Sequence, residues 1–142
     1  MADPVRVLIV ANRTAATPTL IYRVRQRADR GPCAFTLLVP VLADVLEPEE
    51  EARKTLALAL PLLEEAAGAP VEGVSGPTDA LRAVERLHRE RPFDEVILST
   101  LPARVSAWLK RDLPTRIARL GVPVTVVRAH ERPHAAVWSG SP

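Results

Sequence analysis

A chain of 142 residues with 47% hydrophobic and 25% charged residues suits one globular domain and is too apolar for a disordered segment. The net charge of +2 and the five aromatic residues argue against a nucleic-acid surface, which needs clustered cations and stacking rings. No apolar run approaches the roughly 18 residues of a membrane span, so we expect no membrane insertion.

The single cysteine, Cys33, excludes an internal disulfide and is typical of a reducing compartment. The first residues lack the basic and then apolar pattern of a secretion signal. These features predict a cytoplasmic protein.

Short apolar runs bounded by turn residues predict five strands, most of them buried on both faces. We place them at 5–11, 33–39, 70–74, 95–98 and 122–128. Pro40 is expected to end the second ladder because proline has no N–H to donate.

Helical periodicity fills the intervals between the strands. Helices are expected at 17–30, from Pro48 onward, after Gly76 and Pro77, over part of 103–109, and after an N-cap at Asp112. In the first helix we expect Arg27 to be exposed. In the second, Leu58 and Leu62 widen the apolar face, which favours a broad core face over a subunit contact.

The alternation of strands and helices predicts an α/β fold, because crossovers of this length join parallel strands with right-handed connections. The expected architecture is a doubly wound, Rossmann-like, five-stranded parallel sheet in the order 3-2-1-4-5, with helices on both faces. Residues 1–128 form this domain. Residues 129–142 form a C-terminal tail, whose Val137 and Trp138 are expected to pack on the body or on a partner.

Ligands of open α/β sheets bind beyond the carboxyl ends of the strands. At that edge Asn12 and Ser99 should face each other, and nearby cations suit a small anionic or nucleotide ligand. The predicted ligand-binding residues are Asn12, Arg13, Thr14, Pro40, Val41, Ser99, Thr100, Arg104, Lys110 and Arg111. The alternative is that Asn12 and Thr14 only make a turn and cap the first helix.

Other reactive side chains carry weaker signals. His130 and His134 have ligand spacing, but a third ligand is lacking nearby and Pro133 lies between them, so we predict no metal site. His88 belongs to a helix surface remote from the strand ends, and Cys33 begins a buried strand; neither is expected to be catalytic. Trp108 should anchor the connection after strand four or cover the crevice.

The pattern up to Arg128 resembles the universal stress protein superfamily. Four segments carry the likeness: 7–14, which is similar to the family's opening strand, 77–81, a Pro-x-x-Ala helix start, 94–99, an Asp-led strand, and 123–127, the closing Pro-Val strand. The run Ser99-Thr-x-Pro followed by Ser106-x-Trp-Leu-x-Arg111 is similar to a divergent branch that also occurs as the soluble domain after some bacterial amino-acid permeases.

ATP-binding members of that family carry Gly-x2-Gly-x9-Gly-Ser/Thr after strand four. Counting along this chain, the glycine positions fall on Ser99, Pro102 and Asp112. Proline removes an N–H from such a phosphate loop, and a carboxylate repels phosphate. Asn12 also stands where the family commonly has Asp. The resemblance therefore implies the fold and predicts weak or absent ATP binding.

Three functions remain open. The first is a non-enzymatic binding or regulatory protein of the universal stress type, with a small-ligand crevice at the ends of strands one and four. The second is a nucleotide-binding member, holding ATP or AMP with weak or no hydrolysis. The third is a small-molecule enzyme of the nucleotide-binding α/β group. In each case we expect a homodimer joined near strand five, since universal stress domains commonly dimerise there and an edge strand invites pairing.

Overall fold

The computed structural model describes residues 3–102 and 106–129. Ten elements follow one another in strict alternation up to the fourth strand. They are β1 Val5–Val10, α1 Pro18–Asp29, β2 Cys33–Pro40, α2 Pro48–Ala67, β3 Glu72–Gly76, α3 Ala80–Glu90, β4 Glu95–Thr100, α4 Ala107–Lys110, α5 Leu113–Ala118 and β5 Val124–Arg128.

The five strands form one parallel sheet in the order β3-β2-β1-β4-β5, as predicted. Central β1 pairs with both β2 and β4, so Ile9 lies between Leu37 and Ile97. Its last four residues are fully buried, which explains their uninterrupted apolar character. β3 and β5 are the two edges.

Alternate residues of each strand face opposite sides of the sheet, and each side has its own core. Ile9 and its row pack under α1 and α2, where Leu20, Val24 and Leu63 are buried. Leu8 and its row pack on the other side under α3 and α5, where Val84 and Ile117 are buried. The sheet is therefore a rigid platform covered on both faces.

The helix ends follow local rules. Pro18, Pro48 and Pro114 stand in first turns, where a missing N–H costs nothing. The Asp79 carboxylate caps α3 by accepting a bond from the Arg82 N–H at 3.2 Å. Gly68 ends α2 in the left-handed region, at φ 71°.

A compact clamp joins β1 to β4 at the amino end of the sheet. The Arg6 guanidinium donates to the carbonyls of Arg91 and Pro92 at 2.7 and 2.6 Å and lies 4.3 Å from the centre of the Phe93 ring. The Arg6 backbone N–H donates to the Asp94 carboxylate at 2.8 Å. Burial lowers the pKa of Arg6, while the two carbonyls and the ring stabilise its charge.

Several strand limits differ from the predicted ones. β3 lies two residues later than expected, because Glu72 to Gly76 are the residues in register with β2. β4 continues through Ser99 and Thr100, and β5 begins at Val124 rather than at 122. Pro40 ends β2 as its last residue, one position later than the predicted limit, and pairs with Gly76 at the end of the ladder.

Two expectations about the helices were wrong. Arg27 is not exposed: its side chain is only 13% accessible because it forms a bidentate pair with Glu95 of β4. Leu58 and Leu62 do not belong to the core, because they lie on the outer side of α2 and are 64% and 37% exposed.

The helix expected within 103–109 appears as the single turn α4, and residues 103–105 lie outside the described part of the chain. The expectations for the tail 129–142 and for Val137 and Trp138 fall beyond Ala129, outside the described residues. Among the helices that the structure describes, none has the length and apolar character needed to cross a membrane.

Candidate functional site

A cleft of about 380 Å³ opens at the carboxyl edge of the sheet, where the chain leaves β1, β2 and β4. This is the position at which doubly wound sheets bind ligands, since the connections from neighbouring strands diverge to opposite faces. The residues that line it are Asn12, Arg13, Thr14, Val41, Leu42, Ala43, Asp44, Thr78, Ser99, Thr100, Leu101, Ser106, Ala107, Trp108 and Arg111.

Buried hydroxyl groups are concentrated at this cleft. Of the five buried polar side chains among residues 3–102 and 106–129, four line it: Thr14, Ser99, Thr100 and Ser106. The Thr14 Oγ1 and Ser99 Oγ atoms are 2.6 Å apart and share one hydrogen bond between the ends of β1 and β4. The shared proton leaves one of the two oxygens with donor capacity for a further partner.

Two of these hydroxyls have local structural partners. The Thr100 hydroxyl donates to the Leu101 carbonyl at 2.8 Å. The Ser106 hydroxyl accepts from the Leu109 N–H at 3.2 Å and caps α4. Ser106 was not predicted as a cleft residue. The sequence does carry a signal for its role as N-cap, because a serine precedes a short helical run.

Asn12 lines the cleft, as predicted for a ligand-binding residue, and also makes a structural contact. Its side-chain amide donates to the Pro40 carbonyl and so ties the end of β1 to the end of β2. Pro40 itself does not line the cleft; it contributes that carbonyl, and the next residue, Val41, forms part of the wall. The tie fixes the distance between two of the loops that border the cleft.

The competing interpretation of Asn12 and Thr14 as turn residues is also correct for their backbones. The Asn12 carbonyl accepts from the Ala15 N–H at 3.1 Å, and the Thr14 carbonyl accepts from the Thr17 hydroxyl at 2.8 Å. The N-cap of α1 is Thr17, so neither Asn12 nor Thr14 caps that helix. Their side chains face partners at the cleft instead.

Charge at the cleft comes from two arginines and one aspartate. Arg13 and Asp44 lie 4.0 Å apart and are 53% and 77% exposed, which makes a weak, water-screened pair at the rim. Arg111 lines the cleft from the residue after α4. Lys110 is not among the lining residues, and Arg104 lies outside the described part of the chain.

Trp108 satisfies both interpretations proposed for it. It is half-buried, packs against the core on the α3 side of the sheet, and lines the cleft. Its indole therefore offers a flat apolar surface on which a ring can stack.

Asp112 has a backbone conformation that glycine adopts most easily, with φ 59° and ψ 38°. Among the described non-glycine residues it alone has positive φ. It follows Arg111 directly and stands at one of the glycine positions of the family's phosphate loop. The backbone at this position would accommodate glycine without strain, whereas the side chain present is a carboxylate.

His88 and Cys33 lie far from the cleft, and His130 and His134 fall outside the described residues. His88 accepts a bond from the Phe93 N–H at 3.1 Å near the amino end of β4. Cys33 begins β2, and burial raises the pKa of its thiol. Over the described ranges, no group of three or more His, Cys, Asp or Glu side chains could hold a metal ion.

Fold and cleft together define a small doubly wound α/β domain with a ligand-sized crevice at its switch point. No protein-family model and no curated protein matches the chain. Solved structures do match, at low identity. A universal stress protein in complex with cAMP has a TM-score of 0.66 at 14% identity, with 90% of this chain and 99% of that chain covered.

Two further structures give the same result. The universal stress protein UspA from Lactobacillus plantarum has a TM-score of 0.66 at 14% identity, covering 90% of this chain and 100% of that one. The universal stress protein from Archaeoglobus fulgidus in complex with dAMP has a TM-score of 0.58 at 14% identity, with the same coverage. The chain therefore has the universal stress protein fold, and the resemblance drawn from its sequence is confirmed at that level.

Proposed function

We propose that the protein is a non-enzymatic binding protein of the universal stress type, and that its cleft takes a nucleoside carrying one phosphate. The observation that carries this proposal is the clustering of four buried hydroxyl groups around a cleft of about 380 Å³. That volume lies within the usual range of small-molecule sites, and the Thr14–Ser99 pair keeps one hydroxyl donor for a ligand.

The charges at the cleft favour one phosphate over three. Arg111 is a fork-shaped donor suited to a single phosphate group, whereas Arg13 already faces Asp44. The positions of the phosphate-loop glycines are Ser99, Pro102 and Asp112, and the Ser99 side chain occupies the buried end of β4. Two of the structural neighbours were solved with cAMP and with dAMP, and each of these ligands has one phosphate.

Trp108 and Val41 give the remainder of the ligand an apolar environment. They lie in the wall of the same cleft, where each offers a base an apolar contact and the Trp108 ring offers a flat one. We assign the base to this part and the sugar hydroxyls to the Thr14–Ser99 pair.

Binding rather than catalysis is what these side chains support. The ionisable side chains that line the cleft are Arg13, Asp44 and Arg111, and the carboxylate is exposed at the rim. The paired hydroxyls hydrogen-bond to each other rather than to a base that could activate one of them. The cytoplasmic location and a role in stress response stay predictions.

Calorimetry with AMP, cAMP and Mg-ATP tests the proposal. We expect AMP or cAMP to bind with a dissociation constant in the micromolar range, and Mg-ATP at least about tenfold more weakly. Arg111→Gln should weaken the monophosphate about tenfold. Arg116→Gln, an exposed arginine of α5, is the matched control and should have no effect. Mg-ATP binding in the low micromolar range, or no binding of any of the three, would refute the proposal.

We propose further that two copies pair through β5. This strand is a sheet edge, and its unpaired backbone groups together with half-buried Val124 and Val126 offer a ladder for a second copy. Light scattering should give about twice the chain mass of 15.5 kDa at micromolar concentration. Val126→Pro, which removes a backbone N–H that points away from β4 toward the open edge, should reduce the mass to that of one chain. A wild-type protein of single-chain mass would contradict the pairing.

A further inference from the structure

A second cavity lies under α1 and beside the β5 edge, away from the cleft. It measures about 260 Å³, and we name it the arginine groove. It shares no lining residue with the cleft. Its lining residues are Arg23, Gln26, Arg27, Arg30, Glu95, Ile97, Pro123, Thr125 and Val127.

The groove exists because α1 lies over the outer strands and the sheet ends at β5. Ile97 and Thr125 are register partners on β4 and β5, so they point to the same side of the sheet and form the floor. The wall is one face of α1, where positions 23, 27 and 30 have the spacing that places side chains in a row. This row spans about 10 Å along the helix.

The positive charge of the groove is only partly neutralised. Three arginines face a single carboxylate, Glu95, which leaves a formal charge of +2. Arg23 and Arg30 form no ion pair with any residue in the described part of the chain. Arg23 and Arg30 are exposed, so water and salt screen their mutual repulsion, and a bound anion would lower it further.

The guanidinium of Arg27 is held in place within the groove by Glu95. Its Nε and Nη2 atoms donate to the two Glu95 oxygens at 2.7 and 3.2 Å, and that hydrogen bonding raises the pKa of Arg27. Its Nη1 group has no acceptor among residues 3–102 and 106–129, although the side chain is only 13% exposed. A positioned guanidinium with unused donors is suited to an oxyanion.

We propose that the arginine groove is a second ligand site, which binds a small molecule through a phosphate or carboxylate group. The guanidinium groups of Arg23, Arg27 and Arg30 bind the oxyanion, and the Thr125 hydroxyl and the Gln26 amide supply neutral hydrogen bonds. Ile97, Pro123 and Val127 receive a short apolar part of the ligand. The site is independent of the function proposed for the cleft.

The test is a ¹⁵N NMR titration of the full chain with inorganic phosphate and, separately, with acetate, at constant ionic strength set with chloride. We expect saturable shifts of the Thr125 amide and of the Arg27 Nε–H with at least one of the two anions. Comparison of the two probes separates a phosphate site from a carboxylate site.

A matched pair of double variants gives the control. Arg23→Gln with Arg30→Gln should weaken anion binding at least about tenfold, because both unpaired charges are lost. Arg86→Gln with Arg89→Gln removes the same charge from two exposed positions of α3 and should leave binding unchanged. Thermal unfolding of both variants confirms that each is folded.

Three results would overturn the proposal. The first is the absence of saturable shifts with both anions, and the second is equal weakening by the two double variants. The third is binding of an acidic peptide at the groove when neither small anion binds, since the groove would then be a protein-docking surface. Light scattering on the same samples adds a fourth. If the Arg23 and Arg30 variant loses the dimer but still binds anions, the groove is a subunit interface and the proposal is wrong.

Discussion

The two ends of the sheet differ in what their polar side chains contact. At the amino end, Arg6 and Asp94 bond to partners within the same clamp, and the Arg6 guanidinium lies against the Phe93 ring. At the carboxyl end, hydroxyl groups such as Thr14 and Ser99 are buried yet border an open cleft. The amino end is closed upon itself, whereas the carboxyl end keeps hydrogen-bonding capacity for a ligand.

The difference separates stability from binding. A substitution at the clamp should change the free energy of unfolding and leave ligand affinity unchanged. A substitution at the cleft should change affinity in proportion to the donors or charges it removes. Variants at the clamp and at the cleft test this distinction between stability and affinity.

The largest effect is expected at the clamp. Arg6→Ala removes two short bonds to the Arg91 and Pro92 carbonyls and the contact with the Phe93 ring. Because the side chain is half-buried, we expect a loss of about 2 kcal/mol in the free energy of unfolding, measured by urea denaturation. AMP affinity should not change. Arg86→Ala is the control, and a clamp variant that unfolds like the control would contradict the assignment.

The hydroxyl pair comes next. Thr14→Val leaves the Ser99 hydroxyl without its 2.6 Å partner, so we expect a loss of about 1 kcal/mol in stability and weaker AMP binding by calorimetry. Thr36→Val is the matched control, because Thr36 is a buried hydroxyl of β2 that does not line the cleft. Equal effects of the two variants on AMP affinity would show that the pair does not contact ligand.

Asp112 should have a smaller effect. Asp112→Gly suits the left-handed backbone but frees the unfolded chain, so stability should change by less than about 0.5 kcal/mol. Mg-ATP affinity should rise about threefold, since a screened negative charge beside the phosphate position is removed. Asp112→Asn removes the charge alone and should give a similar rise. Unchanged Mg-ATP affinity in both variants would rule out this carboxylate as a barrier to phosphates.

The smallest effect concerns Cys33 at the closed end. Burial raises the pKa of its thiol, so folding favours the protonated form. Stability is therefore full below the unfolded thiol pKa of about 8.5 and declines as pH rises past it, and alkylation at neutral pH should be slower than in the unfolded chain. Iodoacetamide labelling followed by mass spectrometry measures the rate. Labelling as fast as in denaturant would contradict the closed amino end.

The sequence predicts the sheet and its covering helices well, because the signals for these elements are local and repeated. The uniform burial of Val7 to Val10 appears directly as an apolar run, and proline or glycine marks most helix ends. Strand limits were less predictable: Ser99 and Thr100 are hydroxyl residues that look like a loop, yet the register with Val127 and Arg128 keeps them in β4.

The site was only partly predictable, because its details depend on contacts between distant residues. Strand order, which the sequence indicated, brings the ends of β1, β2 and β4 together. The individual partners were not predicted: we expected Asn12 to face Ser99, whereas Asn12 donates to the Pro40 carbonyl and Thr14 is the partner of Ser99. The pairing of Arg27 with Glu95 was not predicted either, since the two are 68 positions apart and arginine on a helix normally suggests an exposed face. The sequence therefore does not indicate the arginine groove, which depends on the position of β4 beside α1.

A ¹⁵N NMR titration of the full chain with AMP shows whether ligand binds at the carboxyl end of the sheet. We expect saturable shifts at the cleft amides of Thr14, Ser99 and Trp108, with the amides of Arg6 and Asp94 at the amino end unchanged. Shifts that fail to saturate, or that centre on the amino end of the sheet, would contradict this expectation.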